Sequence, residues 1–280
     1  MIKNHDINSG TQVVEITDLS VMRSGTRVIH DINLSISCGE FIGIVGPNGG
    51  GKSTLILTIL GILKPKTGSI KIYGHQPASK NVIGKISWVP QTSLNLPNNV
   101  RITVRELVRL GTLKRENFLH FWKKNHSLIE KTLQLVGLED IANTPLSSLS
   151  GGQRQRALIA KALVSEADII IMDEPMVGVD RESRNSLLKL LDSLCHKENK
   201  TIIMISHDLS TIKQTVHRMI YLEETIRYDG SNSDFPDLSE LAELRGINAT
   251  HENPTQINNK IKQYNLDPKL ISTEKKGDQK

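Results

Sequence analysis

The chain has 280 residues, a formal net charge of +5, 38% hydrophobic and 23% charged residues, a balance that excludes a disordered polymer and fits one large α/β domain with an appendage or two small domains. No stretch nears the about 20 apolar residues that cross a bilayer, and the polar start from Met1 to Gly10 has no signal-peptide core. Cys38 and Cys195 lack CxxC spacing, so the expectation is a cytoplasmic protein with two reduced thiols.

In chain order, Val13 to Ile16 and Val28 to Ser37 alternate apolar and polar residues, as half-buried antiparallel strands do. Phe41 to Val45 is continuously apolar and runs into a glycine-rich loop, the pattern of a strand buried on both faces. Thr54 to Leu63 has helical periodicity and stops at Lys64-Pro65. Ser69 to Tyr73 and Lys85 to Val89 read as short strands. Between about Val104 and Ser148 the periodicity is helical, and this block is read as an inserted helical subdomain. Lys114, Arg115, Lys123 and Lys124 within it form the main basic cluster, read as a solvated helical face. A helix (Gly152 to Val164), a buried strand (Asp168 to Met172), a helix (Arg181 to Cys195) and a second buried strand (Thr201 to Ile205) follow. Strands alternating with helices predict a parallel sheet with right-handed crossovers. After about Glu224 the pattern weakens to a short helix at Leu238 to Leu244, and the last residues from Thr273 read as disordered.

Three local patterns point to phosphate chemistry. Gly46, Pro47, Asn48, Gly49, Gly50, Gly51, Lys52 and Ser53 satisfy GxxxxGK[ST] between a buried strand and a helix. Glycines let backbone N–H groups turn inward around phosphate oxygens, and the helix that begins near Thr54 adds its N-terminal partial charge. Lys52 is placed to neutralise the β- and γ-phosphates and Ser53 to ligate Mg²⁺. Ile169 to Met172 ends in Asp173 and Glu174. In a parallel sheet these acids arrive beside the phosphate loop. Asp173 is expected to hold Mg²⁺ directly or through water, and Glu174 to act as general base on the attacking water or to orient it. Leu149, Ser150, Gly151, Gly152 and Gln153 make a capped, glycine-opened helix start, a second anion site. His207 follows a buried strand and lands on the same sheet edge as Asp173. The other histidines show no metal-ligand spacing; His120 and His126 are read as surface residues.

LSGGQ followed by Arg154-Gln155-Arg156 is the ABC signature, and over roughly residues 12 to 230 the chain resembles the ATP-binding subunits of ABC transporters. The resemblance extends to Gln91 in Val89-Pro90-Gln91, to His207 in Ser206-His207-Asp208, and to Gly178-Val179-Asp180. It implies a P-loop NTPase of the ABC type, α/β, with an N-terminal antiparallel β subdomain, an inserted helical subdomain at about 104–148, and a partly disordered extension over 231–280. It also implies a head-to-tail homodimer with ATP sandwiched between the phosphate loop of one copy and Ser150, Gly151, Gly152 and Gln153 of the other. Asp180 would link the two sites, His207 would contact the γ-phosphate and steady Glu174, and Gln91 would reach Mg²⁺ or water and relay the nucleotide state. The implied partners are an integral membrane permease and, in the full transporter, a substrate-binding protein, with the chain peripheral on the cytoplasmic face of the membrane. No nucleic acid is expected.

Two positions depart from the family pattern. Arg23 stands where many relatives stack an aromatic ring on adenine, a role its guanidinium plane can also fill. Gly50 stands where many have alanine, which is expected to loosen the loop slightly. The stretches Asp173 to Asp180, Val89 to Pro97 and Ile102 to Leu107 are most similar to those of zinc-uptake ATPases, with manganese or iron importers next. The other reading is a soluble ABC protein acting on ribosomes or DNA, but those usually carry two cassettes or a long coiled-coil insertion. The tail reads as a solvated extension or a regulatory segment.

Overall fold

A computed structural model describes residues 10–91, 102–113, 126–207, 209–213 and 215–236. The predicted basic cluster at Lys114 to Lys124, His120, the segment after Gln91, the short helix at Leu238 to Leu244 and the tail lie outside the described residues.

Strands β1 (Gln12–Arg23), β2 (Thr26–Ser37) and β4 (Thr67–Ile72) form an antiparallel sheet in the order β2-β1-β4. Their alternating pattern buries one face: Val14, Ile16, Leu34, Ile36, Ile70 and Ile72 share a core with residues of the second sheet. That second sheet has six strands in the order β5-β6-β7-β3-β8-β9. At its centre, β3 (Phe41–Val45) pairs in parallel with β7 (Thr201–Ile205) and β8 (Arg218–Glu223). On one side, β6 (Ile169–Asp173) pairs with β7, and β5 (Ile86–Val89) with β6. Every residue of β3 and β7 is buried, which is why those stretches read as unbroken apolar runs.

The sequence reading assigns no strand after Thr201 to Ile205, whereas β8 and a further strand follow. Strand β9 (Thr225–Ser231) turns back antiparallel on β8 from Glu223↔Thr225 to Arg218↔Ser231. Glu224 makes the turn with φ +58. The Arg218 guanidinium donates in a fork to both carboxylate oxygens of Asp229 at 2.6 Å, fixing the register of the edge strand.

Helix α1 (Lys52–Ile59) is shorter than the predicted 54–63. It stops because Gly61 takes φ +72 and the Ile62 and Leu63 amides fold back onto the Leu57 carbonyl at 2.9 and 3.1 Å. In the inserted block, α2 (Val104–Leu110) starts from a capping box between Thr103 and Glu106, and α3 (His126–Leu135) buries Ile129, Thr132 and Leu133. A 3₁₀ turn (Leu146–Ser148) leads into α4 (Gly151–Leu163). Gly111, after α2, lies so close to α4 that a Cβ would collide with the Lys161 carbonyl. Helix α5 (Arg181–Glu198) connects β6 to β7, and a short α6 (Leu209–Lys213) precedes β8. One compact unit extends to Phe235.

Candidate active site

The C-terminal ends of β3, β6 and β7 lie side by side, since Ile44 pairs with Ile205 and Asp173 with Ile205 on the other side. Everything that follows those three strands therefore converges on one edge. From β3 the chain enters the phosphate loop. Gly46 adopts φ +150 with its Cα against the Leu222 carbonyl of β8, leaving no room for a side chain. Gly51 adopts φ +96 against Ile29 of β2. Gly49, by contrast, has φ +83 and no atom within 4 Å of where a Cβ would stand. Two glycines thus seat the loop, and the third leaves its rim open.

Helix α1 begins at Gly51 without any side-chain cap, so its first amides are free for an external acceptor. Lys52, only 8% exposed, curls back and donates to the carbonyls of Gly46 and Pro47, each at 2.8 Å. Burial pulls its pKa below the usual lysine value, with the carboxylates of Glu174 and Asp173 acting against that shift. Burial, followed by the charge of Glu174, raises the Asp173 pKa, while Lys52 and a hydrogen bond from Ser53 oppose the rise. Two acids and one buried cation are thus held close, with the Ser53 hydroxyl on the carboxylate.

Glu174 is 9% exposed and sits at φ +52, a backbone conformation costing about 1–3 kcal/mol in a residue with a side chain. Its amide is pinned to the Ile205 carbonyl at 3.0 Å. One carboxylate oxygen, Oε1, accepts from the His207 amide at 3.0 Å and from His207 Nδ1 at 2.7 Å. Because the carboxylate accepts, Nδ1 carries the proton in this contact.

A cavity of about 540 Å³ gathers most of the residues singled out in the sequence: Asn48, Gly49, Gly51, Lys52, Ser53, Thr54, Gln91, Asp173, Glu174 and His207. Gly46, Pro47 and Gly50 shape the loop behind it. Arg23, at the end of β1, lines it as well. So does Val28 of β2, which the sequence reading missed because only the hairpin pairing of β1 and β2 brings it there. The expectation for Gly50 needs correcting. A Cβ there would sit 2.9 Å from the Leu222 carbonyl and 3.1 Å from that of Pro47, so the glycine fits a crowded position. The loop is pinned on both sides of it, by Gly50 N–H to Pro47 O at 3.1 Å and by Glu224 N–H to Gly50 O at 3.0 Å.

Ser150, Gly151, Gly152, Gln153 and Asp180 do not line this cavity. They form a separate cluster at the starts of α4 and α5. The Ser150 hydroxyl accepts from the Gln153 amide at 3.2 Å, and the Gln153 side chain accepts from the Ser150 amide at 3.0 Å. A Cβ on Gly151 would stand 2.5 Å from the Gly178 carbonyl, and one on Gly152 would stand 3.3 Å from an Asp180 carboxylate oxygen. Asp180 caps α5 by accepting from the Ser183 amide at 2.9 Å, the bond that holds its pKa below the carboxylate norm.

The residues present suit a nucleoside triphosphate. An uncapped helix start, an open glycine rim and a buried lysine meet phosphate oxygens, and the oxygen donors Ser53 and Asp173 suit a hard divalent cation.

Residues 29–177 match the family model of the ABC transporter. The chain belongs to that family. It is 34% identical to the zinc uptake system ATP-binding protein ZurA of Listeria monocytogenes, over 84% of this chain and 94% of that one. It is 38% identical to the manganese transport system ATP-binding protein MntB of Bacillus subtilis, over 71% and 78%. Among solved structures it superposes on a bacterial ABC transporter cassette determined as a dimer, with a TM-score of 0.65 at 27% identity over 79% of this chain and all of that one. The chain is the ATP-binding subunit of a metal-type ABC importer, an ATPase whose hydrolysis is coupled to transport.

Proposed function

We propose that this subunit drives zinc import. The cassette covers 12–230, with its helical subdomain at about 104–148 and an extension over 231–280. The observation that supports the catalytic reading is the Glu174–His207 pair set opposite Lys52 and Asp173 in one cavity. Lys52 gives up its two loop carbonyls to bind phosphate oxygens, a trade of neutral acceptors for charged ones. Backbone amides of Gly49, Gly50, Gly51, Ser53 and Thr54 hold the remaining oxygens, while Gly46, Pro47 and Asn48 set the loop's path. Arg23 stacks on the base with Val28 beside it. Ser53, Asp173 and Gln91 are the residues that would hold Mg²⁺, which when bound offsets negative charge on the β- and γ-phosphates. Glu174 takes the proton of the attacking water or aligns that water, and His207 holds the carboxylate in place.

The signature cluster has no phosphate loop of its own beside it, so it serves a second copy. Ser150, Gly151, Gly152 and Gln153 close over the partner's nucleotide in a head-to-tail dimer, and Asp180 connects the two sites. A relative solved as a dimer supports this arrangement. Closure and reopening act on an integral membrane permease, with a substrate-binding protein delivering the cargo outside. No helix among the described residues is long and apolar enough to cross a membrane, in keeping with a peripheral subunit on the cytoplasmic face.

Zinc rests on relatives such as the Listeria zinc-uptake protein, and manganese is the second reading because the Bacillus manganese protein is similar to a comparable degree. Uptake of zinc, manganese and iron isotopes, measured in parallel in cells lacking the protein, separates them. Loss of zinc uptake alone supports the proposal; loss of manganese uptake with zinc unchanged overturns the cargo while leaving the motor intact.

A further inference from the structure

At the sheet edge opposite the ATP cavity, we propose a binding site for a divalent transition-metal cation of the zinc class, formed by Asp192, His196 and His217. The inference does not depend on which metal the transporter carries. Asp192 and His196 are four residues apart on α5 and so share a face of its last turns. His217 comes from a different element, immediately before β8. Its amide donates to the carbonyl of Phe41, the first residue of β3, at 2.9 Å, and its ring meets the Phe41 ring edge-on at 6.3 Å. Both β3 and β8 begin here, whereas Asp173, Glu174 and the phosphate loop lie where parallel strands end, so the two sites occupy opposite edges of the sheet.

The geometry is that of a partly assembled tetrahedron. One donor atom from each residue can be chosen so that all lie within 4.8 Å of one another. His217 Nε2 is 3.3 Å and His196 Nδ1 is 3.4 Å from the same oxygen, Asp192 Oδ1. Zinc bonded to nitrogen or oxygen at about 2.0–2.2 Å in a tetrahedron separates its ligands by about 3.4 Å, so two of the three edges are already close to the length a zinc ion requires. His196 Nδ1 also lies 3.0 Å from the Asp192 carbonyl, and binding through that nitrogen exchanges this helix hydrogen bond for a metal bond. The two imidazole rings stand perpendicular, 5.0 Å between centroids. Two imidazoles and one carboxylate select late first-row cations over Mg²⁺ or Ca²⁺, which prefer all-oxygen sites.

The surroundings allow entry. The side chains of Asp192, His196 and His217 are 44%, 61% and 42% exposed, and a cavity of about 590 Å³ lined by Asp192 and His217 opens beside them. Lys189 also lines that cavity, but it is exposed and its flexible stem can swing the ammonium away from an incoming cation. Solvent completes the fourth position. A bound ion would join the end of α5 to the start of β8, two segments the chain brings together only in the folded state, so it would stabilise the fold by mass action.

The test uses the full-length protein, stripped of metal and free of nucleotide. Calorimetric titration with Zn²⁺ should show one cation per chain, undisturbed by a large excess of Mg²⁺. His217→Ala and Asp192→Asn should each weaken binding by roughly tenfold or more, and H196A/H217A should abolish it, with ATP affinity unchanged in all three. Because Cys38 and Cys195 are free thiols, a parallel Co²⁺ titration should give a ligand-field spectrum without a thiolate charge-transfer band. Native-like Zn²⁺ binding by H196A/H217A, a strong thiolate band, or no binding by the unsubstituted protein would each overturn the proposal.

Discussion

The two glycine-opened helix starts of this protein solve the same electrostatic problem in opposite ways. At α1 no side chain caps the helix, Gly49 faces open space and Lys52 rests on weak neutral acceptors. At α4 the box between Ser150 and Gln153 already satisfies one amide of the first turn and the amide of the cap itself. The first end is therefore ready for an anion within a single chain. The second is self-satisfied, and a ligand there must offer better acceptors than the serine hydroxyl it replaces. In the proposed dimer, that difference would let one subunit bind nucleotide at one end and engage the other only when a second copy arrives.

Three substitutions sharpen or break this comparison. The largest effect is expected for Glu174→Gln: hydrolysis falls by roughly 10²–10⁴-fold, the usual weight of a positioned base. Nucleotide binding is retained, and a nucleotide-bound dimer accumulates. Wild-type turnover by this variant in a phosphate-release assay would remove Glu174 from its role. Next, Lys52→Ala deletes charge-assisted hydrogen bonds of about 1.5–3 kcal/mol each. ATP affinity of the isolated chain should fall by roughly ten- to a hundredfold by calorimetry, and unaltered affinity would contradict the phosphate-loop assignment. The smallest effect on the single chain is expected for Ser150→Ala. Losing the cap costs about 0.5–2 kcal/mol of stability, read as a lower denaturation midpoint. ATP affinity of the monomer should stay the same while hydrolysis at high protein concentration drops. Weakened ATP binding by the monomer would mean that the two helix ends are not separate.

The motif residues were legible because each motif is a local run whose chemistry is fixed by its own backbone: Gly46 to Ser53, Asp173-Glu174 and Ser150 to Gln153. The buried strands were equally legible, since Phe41–Val45 and Thr201–Ile205 have no polar face to confuse the pattern. What failed was non-local. Strand β8, whose apolar run Met219 to Leu222 is as long as that of β6, went unread, and β9 is a half-exposed edge strand whose place is set by pairing with β8 and the Arg218–Asp229 fork. Val28 and the crowding at Gly50 depend on strands from distant parts of the chain meeting the loop. The histidine cluster escaped for the same reason: Asp192 and His196 show helical spacing, but the third member arrives from a separate element.

Glu224, which turns β8 into β9, ties the phosphate loop to the antiparallel sheet. Its amide donates to the Gly50 carbonyl at 3.0 Å, and its carbonyl accepts from the His30 amide at 2.9 Å. A single residue thus hangs between the phosphate loop and the antiparallel sheet, with one hydrogen bond from each of its two flanking peptide groups. Deuterium uptake at the amides of His30 and Glu224 therefore becomes a gauge of loop rigidity: nucleotide that tightens Gly46 to Ser53 should slow exchange at both, although neither residue lines the ATP cavity.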